Sequence, residues 1–181
     1  MADLVEIVIE DPRWREVPLA EWADRAARAA LRAAGLGAEG WQIALLACDD
    51  ARIRELNARF RGRDAPTNVL SWPAHHLAPP APGRPPPLPP APGPEGDSLG
   101  DVAIAWETVA AEAAAAGLSL RDHVLHLVLH ATLHLLGYDH LDARDAALME
   151  GIETETLVSM GLRDPYSETD PQDGSPFRLE T

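Results

Sequence analysis

Lysine is absent from this chain, so all fifteen of its basic side chains are arginines. Cysteine occurs once, at Cys48, which cannot pair within the chain, and nothing else points to an oxidising compartment. No stretch approaches the roughly 18 uncharged apolar residues that a membrane span needs. The start, MADLVEIVIEDPRW, lacks the basic segment and long apolar run of a secretory signal and alternates like a strand. These absences exclude disulfide-stapled and membrane-spanning classes, and a cytoplasmic protein with no membrane partner is expected.

What is present suits an ordinary globular protein. The 181 residues are long enough for one domain with a real core, at 46% hydrophobic and 24% charged content. The net charge of -14 argues at first sight against a nucleic-acid partner, because phosphates repel acidic proteins. Its distribution softens that argument. Residues 141–181 hold ten acids and three arginines, half of the net charge, whereas residues 1–77 hold twelve acids and ten arginines. Arg52, Arg54, Arg59, Arg61 and Arg63 fall within twelve residues. They suit either a local cationic surface or a solvated helix face paired with Asp49, Asp50, Glu55 and Asp64.

Periodicity orders the chain. Val5, Ile7 and Ile9 alternate as a strand, and residues 18–35 open on Pro18 and carry apolar residues at helical spacing up to Gly35. Ile43, Leu45 and Ala47 suggest a second strand, then a helix from about Asp50 to Arg61 and a short strand at Val69–Trp72 stopped by Pro73. Ten of the seventeen prolines lie between Pro79 and Pro94, too many for helix or central strand. A surface insertion at about 78–97, extended or disordered, is the expectation. Gly100–Trp106 reads as a strand, Glu107–Ala116 as a helix, and Ser119 with Asp122 as the cap of the next helix. A last helix runs from about Asp142 to Met160. The reading is a single α+β domain over residues 1–163, with a small mixed sheet of about four strands and about five helices. Residues 164–181 form a polar tail expected to be flexible.

The helix after Ser119 carries the chemistry. His123, His126, His130 and His134 fall within an arc of about 80° at 100° per residue. His130 and His134 stand one turn apart, so their imidazoles can converge on one ion. Gly137 can end the helix in a left-handed conformation and return His140 to the same ion. Three neutral imidazoles leave a fourth metal position for water, whose pKa zinc lowers toward about 7. Zinc is the expected ion, although such a site also accepts other divalent transition metals. His126 suits a place behind the ligands or facing substrate, Asp139 could orient a ligand ring or cap the last helix, and His75 and His76 are assigned nothing.

The spacing His-x3-His-x2-Gly-x2-His is shared with the metzincin proteases, which place a glutamate after the first histidine as general base. That position is Ala131, so a metallopeptidase lacks its base here. A different family fits better. The run 130–140, HATLHLLGYDH, together with LNARFRGRDAPTNVLSWP at 56–73, resembles the YbeY family of bacterial rRNA-maturation endoribonucleases. Leu99-Gly100-Asp101, Met149 and Glu153 also match. Ala131 stands where the family has glycine, and the proline-rich stretch is longer than usual.

The resemblance implies a single-strand-specific, zinc-dependent endoribonuclease that matures the 3′ end of 16S rRNA and serves ribosome quality control, with RNA and the ribosome as partners. Its zinc ligands map onto His130, His134 and His140, and its required arginine onto Arg61. A guanidinium offers paired donors to a phosphate, which agrees with that role; the alternative for Arg61 is a surface ion pair with Asp64. A zinc peptidase and a non-catalytic ribosome-assembly factor are the competing function classes.

Overall fold

A computed structural model of the chain describes residues 3–167. Residues 168–181, most of the tail expected to be flexible, lie outside the described residues. The elements in chain order are β1 (Val5–Ile9), a short 3-10 helix (Pro12–Glu16), α1 (Leu19–Ala33), β2 (Trp41–Cys48), α2 (Asp50–Arg61), β3 (Val69–Pro73), β4 (Asp97–Ala105), α3 (Trp106–Ala115), α4 (Leu120–Leu135) and α5 (Ala143–Ser159). The sheet order is β1-β2-β4-β3. β1, β2 and β4 run parallel, and β3 closes one edge antiparallel to β4. This is the expected α+β domain with a mixed four-stranded sheet and five helices.

Alternation along the strands assigns each face. Ile43, Leu45, Ala47, Val102 and Ile104 face the main core with α1 and α4, whereas Leu46, Cys48, Ala103 and Ala105 face Ile53 and Leu56 of α2. The sheet is therefore covered on both sides, as parallel strands require. α1 offers α4 a flat seam of Ala23, Ala26, Ala27 and Ala30. α4 lies deepest, with every residue from His123 to Leu133 buried. A helix apolar nearly all round belongs in a core, and this one brings its histidines with it.

Several boundaries differ from expectation for local reasons. β4 starts at Asp97 rather than Gly100, because polar Asp97 and Ser98 pair with Trp41 and Gln42. Leu99 is the extra residue of a bulge in that pairing, and Gly100 beyond it has φ 137°. Trp106 belongs to α3 rather than to the strand. The 3-10 helix went unforeseen; its cap is Asp11, which accepts the Arg13 N–H at 2.9 Å.

The proline-rich segment between β3 and β4 holds neither helix nor strand, yet it is docked. Pro86 and Pro89 are buried. The Gly83 N–H donates to Asp145 Oδ1 at 2.7 Å, which ties the segment to the first turn of α5. Leu77 packs on Gly137, directly beside the turn that follows α4.

Candidate metal centre

His130 and His134 project from the last turns of α4. The helix then ends in a paired glycine turn, where the Tyr138 N–H donates to Leu133 O at 3.1 Å and the Gly137 N–H to His134 O at 3.0 Å. Gly137 has φ 94°, and a Cβ there would collide with the Leu77 backbone, so only glycine fits. The turn brings His140 back. Ligand atoms of His130, His134 and His140 all lie within 4.8 Å of one another.

Partners of the other ring nitrogens fix the tautomers. His130 Nδ1 donates to Glu153 Oε1 in a short hydrogen bond, and His134 Nδ1 donates to the Tyr138 carbonyl at 2.9 Å. Burial holds both imidazoles below the usual histidine range, His134 down to about 3, so both are neutral. With the proton on Nδ1, each Nε2 presents a lone pair, and these two atoms face each other at 3.0 Å. Two lone pairs at that distance repel unless a cation lies between them. Tetrahedral zinc with N–Zn bonds of about 2.0–2.1 Å would set such nitrogens about 3.3 Å apart, so the donor set fits a divalent ion.

Behind the histidines sits Glu153, fully buried. Burial pushes its carboxyl up, but the hydrogen bonds it accepts from His130 and His126 outweigh that and hold it below the usual range. His126 Nε2 donates to Glu153 Oε2 at 3.3 Å, which places His126 one layer back from the cluster. The Tyr166 hydroxyl donates to the same Oε2. Burial and the adjacent carboxylate push that phenol above its ordinary value, so it stays protonated. Residues 164–167, counted above in the flexible tail, are thus held by defined bonds. In the sequence Glu153 entered only through the family resemblance, beside Met149 and without a role; nothing local marks Tyr166.

The remaining predicted residues make other contacts. Asp139 accepts the backbone N–H of His140 at 2.6 Å, and Asp142 caps α5 by accepting the Arg144 N–H at 2.8 Å. His75 Nε2 bonds the Ser98 carbonyl at 3.1 Å, and neither His75 nor His76 joins the cluster. Arg61 ends α2 and donates to the Ser71 carbonyl on β3 at 2.7 Å. Asp64 takes Arg54 instead, through two bonds of 2.7 and 3.1 Å. Among the described residues no carboxylate pairs with Arg59, Arg61 or Arg63, whereas Arg52 and Arg54 are both paired. The exposed arginine run therefore splits into a compensated half and a cationic half. Phe60, 53% exposed, stands in the second half under Arg59 and edge-on to Trp72.

Fold and cluster define a class: a small α+β protein whose central helix and following turn offer three histidines to one metal ion. The family model described as Endoribonuclease YbeY matches residues 7–161. The chain belongs to the YbeY family. It is 51% identical over 168 residues to the Endoribonuclease YbeY of Ruegeria pomeroyi, covering 90% of this chain and 98% of that one. The Cereibacter sphaeroides protein of the same name is 52% identical over 167 residues, 92% of this chain and all of its own. A solution structure of a Thermotoga maritima protein has the same fold, with a TM-score of 0.50 at 19% identity, over 93% of this chain and 99% of that one. No helix among the described residues is long and apolar enough to cross a membrane.

Proposed function

We propose that the chain is a zinc-dependent endoribonuclease that cleaves single-stranded RNA. It would mature the 3′ end of 16S rRNA and act on the ribosome in the cytoplasm, as one catalytic domain over residues 1–163. The observation that carries the reading is the pair of neutral imidazoles whose Nε2 lone pairs meet at 3.0 Å beside His140. Such an arrangement suits an ion held by His130, His134 and His140. Held by these three residues, the ion would supply Lewis acidity toward a phosphate and would lower the pKa of a bound water.

The protein's own groups do the rest. Glu153 and the Tyr138 carbonyl orient the two ligand rings on α4. Among the described residues no carboxylate neutralises Arg61, so its guanidinium is available to take a phosphate by paired N–H donors and stabilise charge developing there. Arg59 and Arg63 extend that charge along the strand to be cut, which reconciles an acidic protein with a polyanionic substrate. Ala131 is fully buried and its methyl group cannot take a proton, so the position of a peptidase base holds no base. Two nucleophiles remain in play, water and the RNA's own 2′-hydroxyl, and they leave different ends.

Purified wild type, Arg61→Ala and His134→Ala should be compared on a single-stranded RNA, with metal content measured on each. Cleavage by wild type and its loss in both variants is the expected result. Equal cleavage by all three would identify a contaminating nuclease and sink the assignment. A cyclic phosphate on the product would select the 2′-hydroxyl, and a linear phosphate would select water.

A further inference from the structure

The hydrogen-bond shell behind His130 is completed from outside the helices that carry the site. After α5 the chain turns at Gly161, φ 85°, and runs back along the helix. Asp164 Oδ1 accepts from Thr154 Oγ1 on α5 at 3.0 Å and from the Tyr166 N–H at 2.9 Å. This double contact pins the segment and aims Tyr166 inward, with its ring edge-on to His126 at 6.1 Å between centroids. Tyr166 lies beyond residue 161, where the match to the family model stops.

A fully buried carboxylate is tolerated only where donors surround it. Glu153 Oε1 takes the His130 Nδ1–H, while Oε2 takes the Tyr166 hydroxyl and the longer bond from His126 at 3.3 Å. Remove the phenol oxygen and, among the described residues, Oε2 retains only that longer bond. The carboxylate can then rotate, and its hold on the His130 ring loosens. A carboxylate behind a ligating imidazole sets the ring's tautomer and plane, so the loosening reaches the metal.

We propose that Tyr166 is a positioning residue for the metal centre, acting on His130 through Glu153. The proposal rests on the reading of His130, His134 and His140 as metal ligands. Its test needs no RNA. Full-length protein is stripped of metal and titrated with zinc alone against a chromophoric chelator. Wild type should take one zinc per chain, and Tyr166→Phe should take one zinc about tenfold more weakly, at the lower end for a group acting behind a ligand. In a Glu153→Ala background the same substitution should change affinity little, because its route to His130 is already cut. Equal affinity of wild type and Tyr166→Phe would overturn the proposal. So would an undiminished tenfold loss in the Glu153→Ala background, which marks a packing effect. If Tyr166→Phe or Glu153→Ala does not fold, Asp164→Asn, which slackens the turn presenting the ring, carries the same expected loss. Unchanged affinity there overturns the idea equally. Wild type that binds no zinc removes the ligand reading itself, a result distinct from variants that bind as well as wild type.

Discussion

The carbonyl of Leu77 occupies the space that a β-carbon on Gly137 would need. The proline-rich segment and the turn between the second and third ligand histidines are thus pressed together at one point. Gly137→Ala sets a methyl group against a backbone atom and also strains a φ of 94°. Left-handed backbone at alanine alone costs about 1–2 kcal/mol, and the collision adds to it. A loss of roughly 2 kcal/mol or more is expected, which is a fall in Tm of about 4–8 °C for a chain of this size. Calorimetry of the metal-free protein checks this; an unchanged Tm would mean that the two segments move independently.

Metal should stabilise the fold by mass action. Zinc at about 100 times its Kd adds about 2.7 kcal/mol, or a rise in Tm of about 5–10 °C. EDTA should reverse that rise in wild type. His134→Ala should show neither the rise nor its reversal, and a variant that responds like wild type would move the ion to other ligands.

Arg61 separates activity from stability. Its side chain is exposed and makes one hydrogen bond among the described residues, to the Ser71 carbonyl, so Arg61→Ala should leave Tm within about 2 °C. RNA cleavage should fall about 100-fold or more, as for the loss of one donor to a developing oxyanion. Arg61→Lys should not restore it, because a lysine offers a point charge rather than a planar fork. Restoration by lysine would reduce the role to charge alone.

Cys48 reports on the opposite face of the sheet. It is fully buried, and burial pushes its thiol up to about 12. A raised value keeps the unreactive neutral form through pH 8 and well above it, since thiolate is the nucleophile. Iodoacetamide should therefore label the folded protein at pH 8 only at the rate of unfolding. Rapid labelling in native buffer would show that α2 lifts from the sheet.

Elements with local punctuation were legible from residues alone. α2, read as about Asp50 to Arg61, has those limits, and the structure shows why they are sharp: Asp49 caps its start and left-handed Gly62 ends it. The three ligand histidines were readable for the same reason: two share a helix face and the third follows a glycine. The bulge at Leu99 was not, since it depends on the register with Gln42 across the sheet. Glu153 and Tyr166 meet only in the fold, 13 residues apart and on different segments. The split of the arginine run was likewise hidden, because Asp64 could have served Arg61 as well as Arg54 until the turn geometry chose.

α4 is both the deepest element of the core and the arm that carries two of the three histidines that could hold a metal. Any drift in its packing moves the imidazoles, and any change of ligand opens a hole in the centre of the molecule. Selection for folding and selection for activity therefore act on the same sixteen residues. Variation should accumulate instead on the exposed stretches of the proline-rich segment between β3 and β4, away from its contacts with Gly137 and α5.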